Sequence, residues 1–427
     1  MSDRANVLIL GGGVIGTSIA WALASRGIDG IVVVDLDLAG VYASSELNAG
    51  GARATWWQPV NIETCRATLD FFLEHKAEFG FRDQGYLWLY ADAALYARAI
   101  EKRRLQNAHG LGVEVLDSVE VQKRFPILDR SMDEILGATF SPRDGLVNPN
   151  AVRAWYRAEA ERLGVEFRNR HYIGGVETGR TSAVSGSLRR VMAVQVVEVQ
   201  RGRPDDEGGV VREILVTHRV PSEAAVGEAR IQCDTVVNCL GAWAPTLSAK
   251  VGVSDPTVPV RRQICLVDVH RENLADGVSL DDLGMIVDPS DLYFHPEGLY
   301  VLAGYSIPDE APGFDFDYDG VAFFENHIWP RLAHRCSSFE RCGHVRGWSG
   351  LYAVTPDRSG IAGQVAGFSN LFEAHSFTGR GVMQSYGVAR GMAGLIAAGE
   401  FDEVDLSPLT RARFEEPEHW VREALHI

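Results

Sequence analysis

Gly11, Gly13 and Gly16 form a G-x-G-x-x-G array directly after the apolar run VLIL at 7 to 10, and Asp35 closes the next apolar run, IVVV at 31 to 34. Those residue types at that spacing suit a pyrophosphate. The first glycine permits a tight turn, the second lets the backbone approach the phosphates, and the third allows a helix to pack closely on a strand. A helix opening here offers unpaired N–H groups to the anion, and an Asp35 carboxylate can accept hydrogen bonds from both ribose hydroxyls of a dinucleotide. Glycines alone are weak evidence; the strand–turn–helix–strand context supplies the rest. The motif does not choose between NAD and FAD, although its position at the start of the chain favours FAD.

The elements that must hold this turn are legible around it. TSIAWALASRG at 17 to 27 suits a buried helix stopped by Gly27, which gives a βαβ unit with a parallel strand pair. Helices are expected over 61–80, over EVQKRFPI until Pro126 breaks it, and over 151–164, with Ala151, Ala154, Trp155, Ala158 and Leu163 facing inward. Between 191 and 239 the runs VMAVQVVEV, VVREILVTH and CDTVVNCL predict strands, with RGRPDDEGG as a solvated loop. ICLVDV, LYF and LYVLAGY, between 258 and 308, alternate as an antiparallel sheet does. The chain then passes from strand to glycine turn to a small-residue helix in LFEAHSFTGRGVMQSYGVARGMAGLIAAGE, which must pack very close to its neighbour.

Composition narrows the function. The 427 residues carry 57 acidic against 41 basic side chains, a formal charge of −16, which disfavours nucleic acid and anionic membranes as general partners. Six scattered cysteines without a CxxC read as buried thiols, and no metal-ligand spacing is present. The polar start runs straight into a strand, with neither a signal peptide nor an apolar run of spanning length, so a cytoplasmic location is expected.

Six further segments carry a resemblance: SSELNAGGAR at 44 to 53, DGLVNP at 144 to 149, VVNCLGAWAP at 236 to 245, GLYAVTPDRSGIAG at 350 to 363, and the run from Phe377 to Phe414, together with GGGVIGTSIAWALASRG at 11 to 27. In this order they resemble the FAD-dependent amino-acid and N-methyl amine oxidoreductases, which include sarcosine oxidase, glycine oxidase and dimethylglycine dehydrogenase. The C-terminal run is most similar to sarcosine oxidase beta and mitochondrial FAD-dependent oxidoreductase-domain proteins. The resemblance implies an α/β fold in which a Rossmann-like FAD-binding domain, residues 1–85, 145–245 and 340–427, is interleaved with an antiparallel-sheet substrate domain, residues 86–144 and 246–339.

It also implies site residues. Gly11, Gly13, Val14, Ile15, Gly16, Asp35, Leu36 and Asp37 would hold the ADP half of FAD, with Ser44 and Ser45 near the phosphates. Asn48, Ala49, Gly50, Gly51 and Arg53 would pass along the isoalloxazine, and Val197 would touch the adenine side. Cys239, Gly241 and Trp243 would close over the dinucleotide, Pro356 would return to the flavin, and Gly379, Arg380, Gly381, Val382, Met383 and Gln384 would run beside the pyrimidine edge. The familiar covalent flavin anchors are replaced by Asn48 and Gly350, so the FAD is expected to be non-covalent. Leu302 stands where some oxidases place an oxygen-activating lysine, and no lysine follows Lys250.

The implied reaction is hydride transfer from a small secondary or N-methyl amino acid to flavin N5, giving an imine that hydrolyses. Oxygen or another electron acceptor would complete the cycle. Arg53 is the first candidate for the substrate carboxylate and Arg380 the second; a phosphate-facing or surface role for Arg53 and a carbonyl-binding role for Arg380 are the alternatives. Tyr293 and His295, two apart on one strand face, are the polar candidates from the substrate domain, or else ordinary strand-end residues. Trp56, Trp57 and Gln58 belong either to the pocket or to the core. Two other readings stand beside this one: a primary or cyclic amino-acid oxidase or dehydrogenase, and an FAD-stabilised assembly protein. Multi-subunit relatives add a partner subunit to the expectations.

Overall fold

The glycine turn sits at the carboxyl end of β1 (Arg4–Leu10), whose last four residues are fully buried. In the computed structural model, which describes residues 3–180, 188–200, 209–274, 278–415 and 422–425, β1 lies inside an eight-stranded sheet. On one side it pairs in parallel with β2 (Ile31–Val34), followed by Glu166–Arg168; on the other it pairs in parallel with Ala225–Asn238, followed by Leu371–His375. Buried on both faces, β1 and β2 need the continuous apolar runs that their sequences supply. Between them α1 (Val14–Ser25) has ten of its twelve residues buried, so it is covered on nearly every side.

A second eight-stranded sheet is antiparallel at every pairing except that of Met285–Val287 with Tyr86–Tyr90. Its outer strand on one edge is Gly343–Val354, so the chain returns to this sheet before it re-enters the first. The result is an α/β fold with a Rossmann-type half interleaved with a mixed sheet. α2 (Pro59–Glu74) lies against the long small-residue helix Gly381–Ala398, and a Cβ on Gly387 would strike the α2 backbone at Thr64. That close approach is the one the glycine-rich sequence requires.

Two expectations change. VVREILVTH is not a strand but part of α3 (Gly209–Thr217). Its valines and isoleucine raise strand propensity, yet the buried residues, Val211 and Ile214, are three apart, which is the helical period. The loop expected at 201–209 falls mostly outside the described residues. The second change concerns the helix Pro149–Arg162, whose inward residues are Val152, Arg153, Tyr156 and Ala160. Ala154, Ala158 and Leu163 are exposed, while Ala151 and Trp155 are only half-buried. The inward stripe is therefore turned by about one residue from the expected one, onto Val152, Tyr156 and Ala160 at helical spacing. The cysteines are free thiols, five buried and Cys342 half-buried. No described helix is long and apolar enough to cross a membrane.

Candidate active site

One cavity runs between the two sheets, from the glycine turn to a cluster of aromatic and arginine side chains. At its first end Gly11 takes a φ of +105°, and a Cβ there would collide with the Cys239 carbonyl. Its N–H donates to the Val34 carbonyl at 2.9 Å. α1 starts from Gly13 with no side-chain cap, and Gly13, Val14 and Ile15 all line the cavity. The helix therefore keeps its first N–H groups for a ligand. Beside Gly13 the Ser45 hydroxyl is buried without a partner, whereas Ser44 Oγ is engaged, donating to the Leu351 carbonyl at 2.6 Å.

Asp35 is held by two backbone donors: Gly12 N–H to Oδ2 at 2.5 Å and Asp37 N–H to Oδ1 at 2.7 Å. Burial raises its pKa, and these two bonds work against that rise. Each carboxylate oxygen retains a lone pair for a further donor. Arg153, a residue that the sequence did not single out, fixes the loop beyond it. It donates to the carbonyls of Gly12, Leu38 and Ala39 and pairs with Glu46.

At the other end Arg53 and Arg380 both lie over the Trp56 ring, at 3.5 Å and 4.3 Å from its centroid. They differ in what else they touch. Arg53 donates to the carbonyls of Thr55 at 3.0 Å and Leu425 at 2.9 Å, and it also lies over Trp88. Arg380 is 2% exposed, and its Nε, Nη1 and Nη2 are all buried without a hydrogen-bond partner. Burial, with Arg53 adding repulsion, pushes its pKa down to about 10; Glu423 supplies the strongest compensating charge. Tyr86, Met285, Tyr293 and Tyr352 complete this end, and Arg262 reaches it from the second sheet with its Nε also buried and unpartnered.

Glu423 was not a candidate from sequence. Fully buried, it accepts the N–H groups of Trp57 and Gln58 and the side-chain amide of Asn61, at 3.0–3.2 Å, and so fixes the segment that leads into α2. Leu425 follows it into the apolar cluster of Trp57, Trp88, Met285 and Tyr293. Residues 423 to 425 thus strap the start of α2 to the second sheet beside the cavity.

The structure brings most of the sequence candidates to the cavity wall: Gly11, Gly13, Val14, Ile15, Asp35, Leu36, Asp37, Ser44, Ser45, Asn48, Ala49, Gly51, Arg53, Cys239, Gly241, Trp243, Tyr293, Gly379, Arg380, Gly381, Val382 and Met383. It does not bring Gly16, Gly50, Val197, His295, Pro356 or Gln384. Gly16 packs beneath the turn against the Gly11 carbonyl, and Gln384 is spent on Asn61 and Thr64. Val197 is replaced at the wall by Tyr172, its register partner on the adjacent strand. Pro356 is exposed. His295 shares a strand face with Tyr293, as expected, but its Nε2 lies 2.8 Å from the Ala49 carbonyl and its Nδ1 2.9 Å from that of Pro296. Burial lowers its pKa and the two carbonyls partly offset that, so His295 braces the Ala49 loop. Leu302 is buried beside Tyr293 and Ile264 and does not reach the wall. Trp56 joins the cavity, Trp57 the core.

A family model described as FAD dependent oxidoreductase matches residues 6–395. The chain belongs to the FAD-dependent oxidoreductase family. It is 28% identical over 455 residues to FAD-dependent oxidoreductase domain-containing protein 1 of Xenopus laevis, covering 99% of this chain and 84% of that protein. L-proline dehydrogenase from P. horikoshii superposes with a TM-score of 0.78 at 19% identity, over 98% of this chain and 99% of that one. Glycine oxidase from Geobacillus kaustophilus gives 0.72 at 21%, over 96% and 99%. These two likenesses show a shared fold.

The residues present fit the family's cofactor. An uncapped helix start, an orphaned Ser45 hydroxyl and a backbone-braced Asp35 are what a diphosphate and a ribose need. Asn48 Oδ1 accepts the Gly50 N–H at 2.7 Å and shapes the turn beside the cavity.

Proposed function

We propose that this FAD-dependent oxidoreductase oxidises a small amine bearing a carboxylate, with secondary or N-methyl amino acids as its substrates and FAD bound non-covalently. The observation that carries the reading is Arg380: a guanidinium with three buried, unpartnered nitrogens on the cavity wall. Such a group gains most from an anion placed opposite it, and a carboxylate matches its fork with two parallel hydrogen bonds. The sequence order of the two arginines is therefore reversed, since Arg53 already serves two carbonyls and acts mainly to hold the wall.

When bound, FAD supplies the hydride acceptor, N5 of its isoalloxazine. The chain's own residues bind, orient and dry the substrate. Arg380 fixes the carboxylate end, while Trp56, Ile264, Met285 and Tyr293 wall off water from the carbon that loses hydride. No described side chain at this end acts as a strong base, because His295 is engaged by two carbonyls. Deprotonation of the amine follows from charge instead. Arg53, Arg262 and Arg380 line the site, and three cations disfavour an ammonium, so the substrate leaves its ammonium proton with bulk water on entry and is held as the neutral amine that can release hydride. The imine product is then hydrolysed by water.

The test is an anaerobic screen. N-methyl, cyclic and primary amino acids are added to the purified flavoprotein while its 450 nm absorbance is followed. Bleaching by N-methyl or cyclic secondary amino acids supports the reading. Bleaching by primary amino acids alone moves the substrate class, and a firmly bound flavin that no amine bleaches refutes turnover.

A further inference from the structure

α3 and the residue after it close the cavity beyond Asp35. Ile214 and Val211 pack onto Leu36, the neighbour of Asp35, together with Val199 and Ala224. The end of the helix is tied down twice: Tyr172 Oη donates to the His218 carbonyl at 2.8 Å, and Trp243 Nε1 donates to the Leu215 carbonyl at 2.8 Å. All five of Tyr172, Ile214, Leu215, His218 and Trp243 line the cavity.

His218 is conspicuous here. Its backbone has a φ of +58°, a region costly for a residue with a side chain. Its ring stands edge-on to Phe314, with centroids 4.5 Å apart. Its Nε2 is buried with no hydrogen-bond partner, and the backbone of Leu215 acts on the ring to raise its pKa against the effect of burial. A backbone acceptor that raises an imidazole's pKa favours a proton on the nitrogen turned toward it, so with Nε2 unpartnered the ring proton is assigned to Nδ1. A neutral imidazole so arranged presents an acceptor lone pair at Nε2, and burial, which lowers the His218 pKa, favours the neutral form. A buried acceptor without a donor is expensive, and here it sits on a wall that three other elements hold in place.

We propose that His218 Nε2 accepts a hydrogen bond from the exocyclic amine of the FAD adenine, which makes α3 an adenine-reading lid. The inference rests on the FAD reading. With the adenosine ribose on Asp35, the base continues past Leu36 toward α3. Adenine offers one hydrogen-bond donor at its edge, the exocyclic amine, and its ring nitrogens accept. The polarity of Nε2 therefore selects the amine.

The test uses apoprotein and two flavins, FAD and the analogue whose base is unsubstituted purine, with hydrogen in place of the exocyclic amine and no new donor; titration calorimetry gives Kd for each. Wild-type protein should prefer FAD about tenfold, the scale of one buried hydrogen bond lost with its acceptor stranded. His218→Phe, which keeps the ring, should bind FAD about tenfold more weakly and show no preference. His218→Gln, with a carbonyl acceptor, should recover part of the preference. Equal wild-type affinity for both flavins overturns the inference and leaves the FAD reading intact, and this arm needs no variant to fold. Undiminished preference in His218→Phe overturns it too. Failure of the apoprotein to bind either flavin overturns the inference together with the FAD reading.

Discussion

Replacing Arg380 by methionine keeps most of the side-chain length over Trp56 and removes only the charge and its donors. Burial pushes the guanidinium from its usual 12.5 down to about 10. Holding that charge therefore costs the folded, substrate-free protein roughly 3 kcal/mol. The stacking lost with Trp56 offsets part of this, about 0.5–1 kcal/mol. Arg380→Met apoprotein should thus be more stable than wild type by about 2 kcal/mol in urea unfolding near pH 7, where the arginine is charged in both folded and unfolded states. Activity should move the opposite way. Loss of a charge-assisted contact in a dry pocket costs about 2–4 kcal/mol, or roughly 30- to 1000-fold in kcat/KM for the carboxylate substrate. The corresponding amide, which never used the charge, should be turned over nearly as well as by wild type. Arg53→Met provides the contrast, because it breaks two carbonyl bonds, one of them to the strap at Leu425, and should destabilise the protein. Equal loss of acid and amide turnover by Arg380→Met at full flavin occupancy, or a weakened apoprotein, would refute the carboxylate role of Arg380.

Acid precipitation should release FAD into the supernatant, and Asp35→Ala should speed its loss on dilution, followed by flavin fluorescence; yellow pellets would show a covalent link. Asp144 is buried, accepts from Ala54 N–H and Thr55 Oγ1, and has its pKa raised to about 6 by burial. Its folded pKa exceeds its unfolded one, so its contribution is fully present below about pH 4 and is lost as pH rises through about 6. Asp144→Asn should therefore gain stability relative to wild type on going from pH 4 to pH 7, by up to about 3 kcal/mol, and a constant difference across that range would contradict the assignment. Reoxidation of reduced enzyme by oxygen should be slow beside that of lysine-bearing oxidases, since Leu302 brings no cation to the wall. Stopped-flow mixing tests this, and fast reoxidation that Arg262→Met abolishes would give the role to Arg262.

The βαβ unit was readable because its requirements are local: glycines for a turn, and apolar runs for strands buried on both faces. Tyr293 and His295 were correctly placed on one face, but alternation cannot say how far along a strand the cavity extends, so His295 proved to be a brace. α3 was misread because β-branched residues dominate nine residues whose helical period shows only in Val211 and Ile214. The ranking of Arg53 over Arg380 could not be judged from sequence. What separates them is the occupancy of their donors, and one Arg53 partner is the carbonyl of a residue 372 positions away. Glu423 and Leu425 left no local signal, for an Arg-Glu-Ala-Leu stretch looks like any surface segment until its partners are known.

The pairing of β1 has a consequence for synthesis. Residues 4–10 leave the ribosome well before residues 232–238, one of their sheet neighbours, and the brace in front of α2 waits for Glu423. At about 5–20 residues per second the cofactor end stays one strand short for roughly 10–50 s, and the strap arrives after roughly 20–85 s. During that interval the apolar edge of β1 has only β2 beside it, and such an edge invites pairing with other chains. Flavin supply during translation, and chaperones that shield this one strand, should therefore govern the yield of folded protein more strongly than the stability of the finished molecule does.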